Sequence, residues 1–187
     1  SAAPDTLEGW KGLRVRAGGG LGDAMKILGA VLSTVPATET YTGMERGTMD
    51  AVSLPYTYAH ASYQLHTIAT WYTNNMSPGT SECSAVINKD AYAALPPQYK
   101  QLLAEALPQG YKDQIDAYIE IDKKNLPMFK AKLKEILYTE AELKRFREVA
   151  GKPVWDKWVA DNKDKFDAQN VLDTLLAEID KAKKAKK

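Results

Sequence analysis

Leu13-Arg14-Val15-Arg16-Ala17, then Gly18-Gly19-Gly20-Leu21-Gly22, then Asp23-Ala24-Met25-Lys26-Ile27-Leu28, is the stretch on which the fold turns. Its first five residues alternate apolar and basic side chains, the period of a half-buried strand. The glycines break that period, and the last six residues read as a helix. The spacing predicts strand, loop, helix. Val31 to Val35 is rich in β-branched residues and stops at Pro36, and Thr38 to Glu45 follows as a short helix ending near Gly47. Asp50-Ala51-Val52-Ser53-Leu54 resembles a third strand, stopped by Pro55, with helix expected over Tyr56 to Gln64. Three strands alternating with helices at this spacing imply a parallel α/β sheet.

Further along, His66 to Tyr72 and Cys83 to Asn88 both read as β-like, joined by the polar stretch Thr73 to Gly79. Exposed connections of that kind often carry function. From Pro97 onward the apolar residues Leu102, Leu103, Ala106, Leu107, Tyr111, Ile115, Tyr118 and Ile119 recur at steps of about three and four, which predicts one long helical stretch. Pro108 is expected to bend it or end its first part, and Pro127 to interrupt it again. Glu135 to Tyr138 reads as a short edge strand, and Thr139 with Glu142 three residues later predicts a capping box. Trp155 with Trp158, and Leu172 with Leu176, lie on stripes that predict two packed C-terminal helices, ending in a frayed lysine-rich tail.

The 187 residues include 44% apolar and 26% charged side chains, with 25 basic against 24 acidic, a composition that excludes wholesale disorder. The formal charge of +1 gives no electrostatic reason to bind nucleic acid, and none is expected as a partner. No apolar run reaches the roughly 18 to 20 residues that span a bilayer. A charged-then-apolar leader is absent, which leaves a cytoplasmic protein or a chain whose leader has been removed. Cys83 is the single cysteine, so an internal disulfide and a thiolate zinc cage are excluded; its setting beside an apolar stretch is that of a buried small residue.

The candidate chemistry is sparse. Gly18 and Gly20 have the spacing of a dinucleotide-binding turn, but Asp23 occupies the third position, where its charge would oppose a pyrophosphate. His60 and His66 are six apart and do not share a helical face as metal ligands would. No serine is grouped with histidine and carboxylate as a triad. Arg16 is the more informative residue, because it ends a predicted parallel strand just before a glycine loop, where open α/β sheets bind ligands. A guanidinium there suits a bidentate grip on a carboxylate. It reads equally as a solvated basic residue alternating with Arg14.

The order of Trp10-Lys11-Gly12-Leu13-Arg14-Val15-Arg16, Leu28-Gly29-Ala30, Pro36 to Tyr41, Gly47-Thr48-Met49-Asp50-Ala51 and Val86 to Pro96 resembles the solute receptors of TRAP transporters, the tripartite ATP-independent periplasmic systems. The resemblance implies a periplasmic α/β receptor, not an enzyme, that closes around a small organic acid and delivers it to membrane permease subunits, with no cofactor. It implies a lobe of the type II periplasmic-binding-protein kind with a parallel or mixed sheet, followed by a long connecting helix and C-terminal helices. In these terms residues 1–8 form an N-terminal extension, 9–96 the ligand-binding lobe, 97–134 the connecting segment and 135–187 the strand and helices that pack on a first lobe. The N-terminal part of that first lobe is expected to be missing, which would uncover apolar faces of the C-terminal helices and favour a homodimer.

The resemblance also assigns residues. The family's cleft arginine corresponds to Arg16, and further contacts fall at Ser53 and Leu54, at Ala37 where the family commonly has an aromatic, and at Met76 and Ser77. Many members have an acidic residue at the Ser53 position and an asparagine or tryptophan at the Leu54 position. Leucine cannot hydrogen-bond a ligand and alanine leaves space, so a bulkier or more apolar acid is expected. The branch that binds 2-oxo acids with a cation uses carboxylates near the Ser53 and Ser77 positions; two neutral serines would hold a metal poorly, and none is expected. The alternative reading is an α/β enzyme that binds a nucleotide or small acid at the Gly18 to Gly22 loop.

Overall fold

The computed structural model describes residues 2–76 and 85–185. Alternation in Leu13 to Ala17 produces β1 (Arg14–Arg16), which buries Val15 and carries the two arginines on its other face. The strand lies at the centre of a three-stranded parallel sheet, between β2 (Val31–Ser33) and β3 (Ala51–Val52), as the strand and helix alternation implies. The register sets Arg16 beside Ser33 on one side and Val52 on the other. Helices α1 (Gly19–Ile27) and α2 (Thr40–Glu45) make the two crossovers, and α3 (Tyr58–Ser62) follows β3.

Helix α1 begins inside the glycine run, four residues before the expected start at Asp23. The reason is space. A Cβ on Gly22 would lie 2.9 Å from the Ala17 carbonyl oxygen, so only glycine lets the first turn press against the end of β1.

A second sheet pairs β4 (Trp71–Thr73) with β5 (Lys134–Ile136) in parallel, Trp71 opposite Lys134 and Thr73 opposite Ile136. The expected strand over His66 to Tyr72 is mostly absent, because residues 65–67 form a tight turn closed by the Thr67 hydroxyl donating to the Gln64 carbonyl at 2.7 Å. The strand expected over Cys83 to Asn88 is not formed in its described part. Val86 is 91% exposed with no strand beside it among the described residues, and the Asn88 side chain accepts from the backbone N–H groups of Asp90 and Ala91, starting α4 (Lys89–Ala94). Residues 83 and 84 lie outside the described residues.

Helix α5 (Pro97–Lys132) continues for 36 residues through both Pro108 and Pro127, neither of which ends it. Each proline lacks one N–H donor, while the turns on either side keep their own ladders. The strand expected at Glu135 begins and ends one or two residues earlier, as β5. Thr139 then starts α6 (Glu140–Phe146) with the expected capping box, its hydroxyl accepting from the Glu142 N–H at 3.2 Å while the Glu142 carboxylate accepts from the Thr139 N–H at 3.0 Å. A π-helical turn at residues 147–151 leads into α7 (Lys152–Asn162), and α8 (Ala168–Ala185) follows.

One core joins the two ends of the sequence. Trp10, Val15, Met25, Ile136, Phe146 and Ala150 are buried together, and the Trp10 indole N–H donates to the Tyr138 hydroxyl at 3.0 Å. That hydroxyl in turn donates to the Pro4 carbonyl, so a buried polar chain is satisfied. Burial pushes the Tyr138 phenol up to about 12. Outside this core the C-terminal helices are only partly packed. Trp158 meets Phe166 with ring centroids 5.8 Å apart, but Val171, Leu175 and Ile179 of α8 remain exposed.

Candidate ligand-binding cleft

The C-terminal ends of β1 and β3 open onto a cleft of about 1140 Å³. Arg16, the last residue of the central strand, faces it half-buried. Its Nε donates to the Val35 carbonyl at 3.2 Å and its Nη1 to the Ser53 carbonyl at 3.1 Å. Val35 follows β2 and Ser53 follows β3, so the guanidinium is tied to both flanking strands. The Ser53 N–H also donates to the Arg16 carbonyl at 2.8 Å, which fixes the backbone beneath it. Among the described residues, two of the five guanidinium donors find a partner, which leaves both Nη2 hydrogens and one on Nη1 to face the cleft.

Arg14, two residues earlier on the same face, is in a different state. Its Nε and Nη2 donate to the two oxygens of Asp50 at 2.8 Å each, and its own N–H adds a third bond to that carboxylate at 2.9 Å. The Arg14 side chain holds the Asp50 carboxyl down at about 2. Among the described residues no carboxylate lies within ion-pair distance of Arg16. Two arginines that the sequence made interchangeable therefore differ: the charge of one is neutralised and that of the other is oriented and left open.

Ser53, Leu54 and Met76 line the same cleft as Arg16, and so do Gly18 to Gly20. Met76 also belongs to the buried core. Ala37 does not join them: it opens the tight turn Ala37–Glu39, where its carbonyl accepts from the Thr40 hydroxyl at 2.6 Å. Ser77 lies outside the described residues.

Sequence reasoning missed a polar cluster that edges the cleft. The Tyr56 hydroxyl donates to the Asn74 side-chain oxygen, Asn74 Nδ2 donates to Glu135, and the Tyr72 hydroxyl donates to the same Glu135 oxygen at 2.9 Å. The Tyr72 bond is the first cause of a lowered Glu135 carboxyl, and burial pushes Tyr56 up to about 12 and Tyr72 higher still. The polar run from Thr73 to Gly79 was a usable signal for Asn74. Nothing in sequence spacing pointed to Glu135, which arrives through the β4–β5 pairing after the whole of α5.

Both histidines line the cleft without sharing a ligand position. His60 Nε2 lies 3.4 Å from the Val52 carbonyl, and burial lowers its pKa; His66 stacks on Phe129 at 5.7 Å. Among the described residues no three His, Cys, Asp or Glu side chains converge as metal ligands would, and no helix is long and apolar enough to cross a membrane.

The sequence model of the bacterial extracellular solute-binding protein family 7 matches residues 2–162. The chain belongs to this family. Its fold is that of solved TRAP solute-binding proteins. One from Rhodoferax ferrireducens T118, in complex with copurified benzoate, is 23% identical with a TM-score of 0.76, over 98% of this chain and 59% of that one. Another, from Bordetella bronchiseptica with bound (R)- and (S)-mandelate, is 22% identical with a TM-score of 0.75, over 95% and 57%. A third, from Rhodoferax ferrireducens with bound malonate, is 22% identical with a TM-score of 0.74, over 92% and 56%. The family 7 chain described here thus spans just under three fifths of the length of these structures. The family consists of solute receptors, which sets aside the enzyme reading of the Gly18 to Gly22 loop.

Proposed function

We propose that this family 7 chain acts in the periplasm as a receptor that captures a small organic acid for a TRAP transporter, with Arg16 gripping the carboxylate. One observation carries the reading: the Arg16 guanidinium is aimed by the Val35 and Ser53 carbonyls and has no carboxylate partner among the described residues. A carboxylate ligand supplies the missing anion, and the remaining Nη1 and Nη2 donors match its two oxygens. The acids named for the solved relatives, benzoate, mandelate and malonate, have that group in common. The backbone carbonyl of Ser53 serves in this reading by orienting the arginine. The permease subunits of the transporter are the membrane partners in this proposal, and a homodimer that covers the exposed apolar face of α8 belongs to it as well.

The test is native mass spectrometry of gently purified protein, with small molecules identified after denaturation. Wild type is expected to release an acid that Arg16→Ala does not hold. In titration with that acid, Arg16→Ala should raise Kd roughly 30-fold or more, the equivalent of about 2 kcal/mol for truncating one side of a hydrogen-bonded charge pair. Equal retention of the acid by Arg16→Ala would overturn the assignment of Arg16.

A further inference from the structure

We infer that the cleft selects monocarboxylic acids with an apolar body over dicarboxylic acids. This rests on the receptor reading above and narrows its ligand class. Its basis is the charge of the cleft wall and what flanks the one cation there.

Arg16 is the sole lysine or arginine among the described residues that line the cleft. His60 does not add a second positive charge, because burial holds its ring toward the neutral form. The His66 ring is stacked against Phe129, and its Nδ1 is closed off from solvent, so it offers a ligand nothing at that atom. The other charged side chain of the lining is Asp50, an anion already matched by Arg14. A first carboxylate therefore meets Arg16. A second finds no further lysine or arginine among the described residues of this wall and approaches the carboxylate of Asp50.

Part of the cleft wall is apolar. Leu54 directly follows the residue whose carbonyl orients the guanidinium, and it faces the cleft. Where the first turn of α1 meets α7, a Cβ on Gly20 would lie 3.2 Å from a methyl of Val154, and Trp155 and Trp158 of α7 also line the cleft. Placing an uncompensated carboxylate against leucine, valine and tryptophan costs its hydration without a return. A ring or alkyl body placed there gains burial at roughly 25 cal/mol per Å². Discrimination of this kind comes from the unpaired charge of the wrong ligand as much as from contacts to the right one.

The experiment is calorimetric titration of the full chain with benzoate, with succinate and malonate as diacids, and with benzamide as a neutral control. Wild type is expected to bind benzoate more than about tenfold tighter than either diacid, and Arg16→Ala to bring benzoate down to the level of benzamide. Leu54→Arg adds a second cation next to the first and keeps the test alive if Arg16→Ala does not fold. It should shift the succinate-to-benzoate preference by about tenfold toward succinate. Diacids that bind wild type as tightly as benzoate, and are lost in Arg16→Ala, would overturn monoacid selection and leave the receptor reading standing. An unchanged preference in Leu54→Arg would also overturn it. A folded protein that binds none of the acids would bring down the receptor reading and this inference together.

Discussion

Arg14 and Arg16 differ only in what the neighbouring strand delivers to them, and that difference is measurable by pH. Asp50 enters β3 beside Arg14, accepts three hydrogen bonds from it, and ionises at about 2 where a free aspartate would at 3.8. A carboxyl with a lowered folded pKa stabilises the fold above its unfolded value, and that contribution disappears as pH falls through the folded one. The Arg14 side chain is 45% exposed, so solvent screening limits the pair to about 1 kcal/mol. We expect Asp50→Asn to be less stable than wild type by that amount at pH 6 to 7, and the gap to close between about pH 4 and pH 2. Urea denaturation of both proteins across this range is the check, and a gap that persists unchanged at pH 2 would refute the ion pair.

At the scale of elements, the link that matters is β5 to α6. It brings Glu135 to the cleft edge and Tyr138 to the core, and it does so at the end of the helix that separates it from β4. Thr139→Ala removes one side of the capping box and should cost about 1 kcal/mol, read as a lower denaturation midpoint with an unchanged slope. The box was legible in the sequence because it is a local pattern, as were the three parallel strands, whose alternation and stop signals lie within a few residues of one another. Local patterns also explain the errors. The described part of the strand expected over Cys83 to Asn88 has strand composition but pairs with no strand among the described residues, and Asn88 uses its side chain to start a helix instead. Pro108 and Pro127 carry a helix-breaking signal that the long ladders around them override. In the cleft, the strand end pointed to Arg16 and the family resemblance to Ser53 and Leu54, whereas the join of Tyr72, Asn74 and Glu135 depends on long-range pairing that no spacing encodes.

For the whole molecule, the distribution of apolar surface is uneven. The core is built from the N-terminal segment, the parallel sheet, β5 and the α6 to α7 region, while α5 and α8 show apolar side chains to solvent. A helix of the length of α5 extends about 54 Å at a rise of about 1.5 Å per residue, and Leu103, Tyr111 and Ile115 remain exposed along it. On α8 the exposed large apolar residues are Val171, Leu175 and Ile179, each four apart and so on one face. Exposed apolar stripes on two helices favour association, and in an isologous contact between two copies the α8 face would cover its own counterpart. Sedimentation equilibrium is therefore expected to give a mass above the monomer that rises with concentration. Leu175→Lys places a charge in the middle of the α8 stripe without touching the core, so it should restore the monomer and leave thermal stability at low concentration unchanged. A wild-type chain that sediments as a clean monomer at the highest concentration reached would show that these faces do not pair with each other, and would remove the homodimer from the proposed function while leaving the Arg16 cleft as it stands.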